Sequence, residues 1–187
     1  MDIDLDRFAS DLPFRESRDN VESYITAITA DPLLAQLDTG DLSFEAFYKA
    51  LVRQYGLAGS LTEFKSSWCD IFAPMPNIEP LLVKLQDKVK LGLLSNTDPL
   101  HWQYLLHEYP FLQGFSKPTL SFEIGFLKPE AKIYLHAAEN VKTAPQQCLF
   151  IDDLEVNVAG ARRIGMQALH FKSAAQLQHD LEAMEIL

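Results

Sequence analysis

Two adjacent acids, Asp152 and Asp153, directly follow the apolar run of residues 148–151. Such a run predicts a strand buried on both faces of a parallel sheet, and open α/β sheets bind ligands beyond the carboxyl ends of their strands. Neighbouring carboxylates repel each other unless a cation lies between them, and Mg²⁺ prefers carboxylate oxygen. The pair therefore indicates either a Mg²⁺ site or, more simply, the N-cap of the following helix.

Small polar side chains follow an earlier predicted strand, residues 89–94. This strand ends in Ser95 and Asn96, and Asp98 precedes Pro99 in the arrangement typical of an N-cap with proline at the first helical position. Hydroxyl and amide groups on a strand-end loop, next to the free N–H groups of a helix start, can form a phosphate cradle. An ordinary Asx turn is the simpler alternative.

Lys128 lies in a loop immediately ahead of Pro129, after a strand candidate at residues 119–122. A single loop lysine is usually solvated. Because this one lies at a strand-to-helix crossing, as the other polar groups do, it is a candidate to neutralise the charge of a substrate.

The elements that must position these side chains differ between two parts of the chain. Residues 1–76 show helical periodicity and no confident strand, with helix starts at Ser43 and Ser60. Residues 77–187 alternate strands with helices, and the last strand is predicted at residues 167–171. We expect Val156, Ala159 and Ile164 to form the apolar stripe of the helix after Asp153. Repeated βα units predict an α/β fold with a Rossmann-like, doubly wound parallel sheet.

Composition excludes several functional classes. A net charge of −10 without clustered Lys and Arg argues against a nucleic-acid or anionic-membrane surface. No run approaches the 18 apolar residues of a membrane span. Two distant cysteines without a CxxC motif fit reduced thiols and a cytoplasmic location. The five histidines show no zinc spacing and are expected at the surface or partly buried on helices.

The ordered set Ser95-Asn96, Lys128-Pro129 and Asp152-Asp153 resembles motifs II, III and IV of the haloacid dehalogenase (HAD) superfamily. The resemblance implies a helical cap in residues 1–76 and a HAD-like core in residues 77–187. It further implies that Ser95 and the amide of Asn96 hold a transferring phosphoryl group and that Lys128 pairs with that group and with the nucleophile. Asp153, assisted by Asp152, would bind Mg²⁺. Two acids at motif IV favour a phosphatase over a metal-free dehalogenase.

The chain departs from the family at motif I, a buried strand ending in Asp-x-Asp-x-Thr/Val whose first Asp is the nucleophile. Asp2, Asp4 and Asp6 have the DxD spacing, but only Met1 precedes them and Asp6 stands where Thr or Val is expected. We expect Asp4 or Asp6 to cap the first helix. The resemblance places the missing strand between those ending at Ser95 and Asp152. Its loss would remove about five apolar side chains at about 1.5–3 kcal/mol each. We therefore expect either that the sequence lacks its natural beginning, which we favour, or that the gap is closed in another way.

Three functions follow from these observations. The first is a Mg²⁺-dependent phosphatase of a small phosphorylated metabolite, inactive as given because Lys128 and the binding groups lack a nucleophile. The second is a non-catalytic module that binds a phosphorylated ligand or a protein. The third, less favoured, is a metal-free dehalogenase. The sequence does not predict the substrate or the oligomeric state.

Overall fold

The computed structural model describes residues 2–3, 26–115 and 117–187. The elements of the first part are β1 (Asp2–Ile3), α1 (Pro32–Asp38), α2 (Phe44–Tyr55), α3 (Leu61–Cys69) and β2 (Phe72–Ala73). Residues 26–29 are also helical. The elements of the second part are α4 (Ile78–Gln86), β3 (Leu94–Ser95), α5 (Pro99–Glu108), β4 (Thr119–Leu120), α6 (Ser121–Ile124), α7 (Ala131–Asn140), β5 (Leu149–Asp152), α8 (Glu155–Arg163), β6 (Gln167–His170) and α9 (Ala174–Ala183).

The predicted helix starts are confirmed by their caps. The Ser43 hydroxyl accepts from the backbone N–H of Ala46. Ser60 and Glu63 form a reciprocal capping box, in which each side chain accepts from the backbone N–H of the other residue. The Asp98 carboxylate accepts from two backbone N–H groups at the start of α5. Local hydrogen bonding therefore fixes these boundaries, which is why the sequence alone could locate them.

Residues 1–76, in which the sequence indicates no confident strand, do contain one short pair, because β1 pairs with β2 in an antiparallel ladder that joins Asp2 to Ala73. Ala73 precedes Pro74, and a residue before proline is restricted to extended conformations. Asp2 therefore lies in a short strand and not at the end of a buried parallel one. Asp4 and Asp6 lie outside the described residues.

The parallel α/β fold is confirmed, although its strands are shorter than predicted. Strand β3 pairs in parallel with β4, and β5 pairs in parallel with β6. Within the described part of the chain no ladder joins these two pairs. Of the predicted strand at 89–94, only Leu94 forms a ladder pair, and β3 continues from it to Ser95. Strand β4 ends at Leu120, because the Ser121 hydroxyl bonds the backbone of Thr97 and the chain turns into α6.

The prediction that residues 148–151 are buried on both faces was also wrong, because Leu149, Phe150 and Ile151 are only partly buried. Helices do cover both faces of β5. Phe150 packs in one apolar cluster with residues of α7 and α8. Leu149 and Ile151 pack in another cluster with residues of α4 and α9. The incomplete burial therefore arises at the edge of the strand, where no neighbouring strand is present among the described residues.

Helix α8 is rotated relative to its predicted stripe. Val156 is 56% exposed, and the buried residues are Asn157, Val158, Gly160 and Ala161. The helix turns Asn157 inward because its side-chain amide bonds Asp152. Gly165 follows the end of this helix with φ of +88°, as expected for a closing glycine.

The first part has an aromatic core of its own. Phe47 and Phe64 are fully or almost fully buried there, and Trp68 packs edge-on against Phe47 with ring centroids 5.3 Å apart. Leu100 of α5 also packs on this core. The two parts of the chain therefore share an apolar seam. None of the helices within the described ranges is long and apolar enough to cross a bilayer.

Candidate functional site

Four of the five side chains singled out in the sequence lie at the carboxyl ends of β3 and β5. Ser95 ends β3, Asp152 ends β5, and Asn96 and Asp153 follow these residues directly. Lys128 lies in the loop between α6 and α7. Parallel strands bring their carboxyl ends to one edge of the sheet.

Lys128 and Asp152 form the central contact of the site. The Lys128 Nζ lies 2.6 Å from the Asp152 Oδ2, and the two side chains are only 13% and 5% exposed. The ammonium group also lies 5.9 Å from the centre of the Phe150 ring. Lys128 is therefore held between a carboxylate and an aromatic ring, in a place that water scarcely reaches. The simple alternative of a solvated surface lysine is therefore wrong.

The Asn96 side chain binds the backbone of Lys128. Its Oδ1 accepts from the Lys128 N–H at 2.8 Å, and its Nδ2 donates to the Lys128 carbonyl at 3.2 Å. This paired contact connects the end of β3 to the lysine loop. The peptide bond between Lys128 and Pro129 is cis. The Ser95 hydroxyl is partly buried and donates to the Asn96 carbonyl at 3.3 Å.

The two adjacent acids have different environments. The Asp152 Oδ1 accepts from the Leu154 backbone N–H at 2.9 Å and from the Asn157 Nδ2 at 2.8 Å, while its Oδ2 faces Lys128. The simple alternative of an N-cap was wrong, because the N-cap of α8 is Leu154 and no side chain caps the helix. Asp152 instead contacts the backbone just before α8 and neutralises the lysine. Asp153 is exposed. Its carboxylate has no partner among the described residues, whereas its backbone carbonyl lies 2.8 Å from the His170 Nε2.

Asn157 and Tyr134 support the acid pair, and sequence reasoning missed both roles. The Tyr134 hydroxyl donates to the Asn157 carbonyl at 2.9 Å. Burial, with a smaller effect from the charge of Asp152, raises the pKa of Tyr134 to about 12, so this phenol remains a neutral donor. An asparagine next to the apolar residue Val158, at the start of a helix, was the signal available in the sequence, since a buried amide needs a partner.

Helix α8 comes very close to Tyr134 and to Pro129 at Gly160. A Cβ on Gly160 would lie 2.6 Å from the Tyr134 hydroxyl oxygen and 2.8 Å from the Pro129 Cβ. Glycine therefore allows the helix to approach the lysine loop and the tyrosine at the same time.

Among the described residues at this edge, the carboxylate of Asp153 is the one available to a metal. Asp152 is the second carboxylate, but three donors already contact it. Within the described residues there is no group of three or more His, Cys, Asp or Glu side chains that could hold a metal ion. Mg²⁺ can bind with so few protein ligands, because it retains several waters and binds through one or two carboxylates.

One cavity of the structure lies away from this site. It has a volume of about 760 Å³ and is lined by residues such as Lys90, Phe115 and Lys142. Lys90 lies before β3, and Lys142 lies before β5. The cavity is therefore at the amino ends of the strands, and we assign it no part in the site.

The chain is similar in sequence to a family of hydrolases and to two phosphatases. A family model described as haloacid dehalogenase-like hydrolase matches residues 14–165. The D-ribitol-5-phosphate phosphatase of Bacteroides thetaiotaomicron is 24% identical over 157 residues, which are 80% of this chain and 76% of that protein. The glyceraldehyde 3-phosphate phosphatase of Methanopyrus kandleri is 26% identical over 170 residues, covering 74% of this chain and 70% of that protein.

A solved structure has the same architecture. It is that of a HAD family enzyme from Bacteroides thetaiotaomicron in complex with magnesium and inorganic phosphate. The two structures superpose with a TM-score of 0.77 and 26% sequence identity, over 92% of this chain and 88% of that one.

Proposed function

Since this chain belongs to the haloacid dehalogenase-like hydrolase family, we propose that it provides the phosphate-binding and metal-binding parts of a Mg²⁺-dependent phosphatase. The proposed substrate class is a small phosphomonoester. The observation that carries the proposal is the direct chain of contacts from Asn96 through Lys128 to Asp152 across one edge of the sheet. Two relatives named as phosphatases of small phosphorylated compounds support the same class.

In this proposal Lys128 and the end of β3 hold the phosphoryl group. Asn96 fixes the lysine backbone, and Asp152 holds the ammonium group within 2.6 Å. The lysine is therefore placed before any substrate arrives. Phosphoryl transfer depends mainly on positioning and on neutralising charge, so a fixed ammonium group and the Ser95 hydroxyl suit this role.

Asp153 would be the main protein ligand of Mg²⁺, assisted by Asp152. The exposed Asp153 carboxylate has no described partner and can face a hydrated cation, whereas Asp152 is already bound by Lys128 and Asn157. A bound Mg²⁺ would supply charge neutralisation for the phosphate oxygens. The acid pair also argues against a metal-free dehalogenase.

We further propose that these 187 residues alone do not turn over a phosphomonoester. Covalent phosphoryl transfer requires an attacking carboxylate, and Asp2 lies in the antiparallel pair of β1 and β2 and not at the end of a buried parallel strand. Among the described residues, β3 and β5 each have one edge without a partner strand, and such a strand would pair there.

The test is Mg²⁺-dependent hydrolysis of p-nitrophenyl phosphate by two forms of the protein. One is the 187-residue chain, and the other carries an added N-terminal apolar strand that ends in Asp-x-Asp-x-Thr. We expect little or no activity in the first form and clear activity in the second, because the added strand supplies the nucleophile to a prepared site.

Two variants serve as controls. Asp153→Asn in the extended form is expected to abolish Mg²⁺-dependent turnover. Strong activity of the 187-residue chain that disappears in Asp2→Asn would contradict the proposal and identify Asp2 as the nucleophile.

The incomplete burial of β5 favours one alternative, a non-catalytic module that binds a protein strand or a phosphorylated ligand. The same experiment separates the two functions. An extended form that is folded, binds inorganic phosphate and remains inactive would support the binding module.

A further inference from the structure

The loop that begins at Asn96, directly after β3, is held in place at three successive residues. The Asn96 side chain binds the backbone of the lysine loop. Thr97 bonds the buried Ser121 hydroxyl, through its backbone N–H at 2.9 Å and through its carbonyl at 3.1 Å. Asp98 makes the third connection, which runs to helix α3 in the first part of the chain. The loop is therefore tied to three separate segments of the molecule.

The Asp98 carboxylate is fully buried and bonds two helices. Its Oδ1 accepts from the backbone N–H groups of Leu100 and His101, at 2.8 and 3.0 Å, in the first turn of α5. Its Oδ2 accepts from the Trp68 Nε1 of α3 at 3.0 Å. Backbone and indole N–H groups can only donate, so both carboxylate oxygens act as acceptors. One oxygen caps α5, and the other connects the loop to α3.

Trp68 meets the start of α5 through its ring and its backbone as well. Its indole is stacked on the His101 ring, with ring centroids 5.0 Å apart and the two planes 3° from parallel. Its carbonyl oxygen lies 2.7 Å from the His101 Nε2, and the His101 Nδ1 lies 2.9 Å from the Asp98 Oδ2. Trp68 is only 5% exposed. A shift of α3 relative to α5 would therefore break several buried contacts at once.

Helix capping alone does not account for this arrangement. An N-cap needs one acceptor for the first N–H groups of the helix, and serine or threonine supplies it as well as aspartate does. In Asp98 the Oδ1 performs that task, whereas the Oδ2 contacts Trp68 and His101. The second oxygen therefore serves the contact between the two parts of the chain.

The position of Asp98 affects the candidate site through the backbone. Asp98 lies two residues after Asn96 and three after Ser95. Asn96 in turn holds the Lys128 backbone by two hydrogen bonds, at 2.8 and 3.2 Å. Binding sites of this kind need their groups held within about 0.5 Å of the productive geometry. A small displacement of Asp98 is therefore enough to misplace the groups that would face a phosphoryl group.

We propose that Asp98 is a positioning residue for Ser95 and Asn96, and that Trp68 of α3 acts on them through it. The inference rests on the proposed function, in which the end of β3 holds a phosphoryl group. It adds that the helical part of the chain sets the affinity of this site without contacting the ligand. Asp98 itself is fully buried, so a ligand does not reach it.

The test measures the binding of inorganic phosphate by calorimetry, in the presence of Mg²⁺. Trp68→Phe removes the indole N–H and keeps an aromatic ring. We expect phosphate to bind about tenfold more weakly, on the scale of one hydrogen bond to a charged group. Trp102→Phe is the matched control on α5, because the Trp102 indole N–H has no hydrogen bond among the described residues. It should leave the phosphate affinity unchanged.

Urea unfolding of each variant separates positioning from stability. Affinities are compared under conditions in which every variant is folded. A Trp68→Phe chain that is less stable but binds phosphate as tightly as the unaltered chain would overturn the proposal, because the contact would then serve folding alone.

A double substitution tests whether the two residues act through one contact. Asp98→Ser keeps a capping acceptor for α5 and lacks the second oxygen that reaches the indole. It should weaken phosphate binding as Trp68→Phe does, and the double variant should bind no more weakly than either single one. Losses that add in the double variant would contradict the proposal.

Amide NMR signals recorded without phosphate keep this inference separate from the proposed function. An unaltered chain that binds no phosphate would refute the proposed function. The positioning is then read from the amide signals of Ser95 and Asn96 alone. Signals that shift in both Trp68→Phe and Asp98→Ser, and not in Trp102→Phe, support the positioning role. Signals that stay in place in Trp68→Phe and Asp98→Ser overturn it.

Discussion

At the scale of single residues, the two adjacent acids perform separate tasks. Asp152 neutralises a nearly buried lysine and bonds the start of α8, whereas Asp153 is exposed and available to a cation. Removal of the negative charge of Asp152 should therefore affect the free energy of unfolding differently from removal of the charge of Asp153.

Asp152→Asn is expected to lower the free energy of unfolding by about 3–5 kcal/mol, because it leaves the Lys128 ammonium buried without its counter-charge. Asp153→Asn, on an exposed side chain, should change it by no more than about 0.5 kcal/mol. Urea unfolding of both variants measures the difference. Equal stabilities would contradict the separate roles.

Mg²⁺ provides a second comparison at the same residues. A ligand that binds only the folded state raises its stability, so added Mg²⁺ should raise the Tm of the unaltered chain. Asp153→Asn should abolish this increase, because it removes the available carboxylate. An equal increase in both proteins would place the cation elsewhere.

At the scale of elements, close packing decides which residue a helix accepts at Gly160. Alanine is about 1 kcal/mol better than glycine in a helix interior. The added Cβ would nevertheless lie 2.6 Å from the Tyr134 hydroxyl oxygen, and overpacking typically costs about 1–3 kcal/mol.

Gly160→Ala is therefore expected to destabilise the protein, despite its better helix propensity, and to displace α8 from α7. Thermal unfolding measures the first effect, and the loss of Tyr134 and Asn157 contacts in NMR spectra measures the second. Gly114→Ala is the matched control, because nothing lies within 4 Å of its added Cβ. A Gly160→Ala chain as stable as the unaltered protein would show that the helix can move at no cost.

At the scale of the whole molecule, the two parallel strand pairs are the main feature. Strands β3 and β5 are only partly buried, and no ladder joins them within the described ranges. Stability therefore relies on the helices above and below the strands, through the apolar clusters around Tyr134 and around Leu181.

Hydrogen–deuterium exchange should show that the strand backbone is less stable than the helices. Amides of residues 90–93, which precede the paired residues of β3, are expected to exchange faster than those of α7, because backbone without a ladder partner opens at a lower free energy. An added apolar strand that pairs between β3 and β5 should slow exchange at both strands. No change upon strand addition would indicate that this edge is closed in solution.

The sequence by itself determined the features that depend on neighbouring residues. Helix starts at Ser43, Ser60 and Asp98 were predicted because caps are local hydrogen bonds. The order of polar strand ends also indicated the parallel fold and the candidate site residues, because parallel strands share one carboxyl edge.

Only the tertiary structure decided the features that depend on distant partners. Three of these features involve groups 5 to 33 residues apart in the sequence. They are the inward rotation of Asn157, the hydrogen bonds of the Asn96 side chain to the Lys128 backbone, and the burial of His101. The β1–β2 pairing and the incomplete burial of β5 also depend on residues that are distant in the sequence. Periodicity records which face of an element is apolar, whereas the three-dimensional arrangement decides which neighbour covers that face and whether an edge finds a partner.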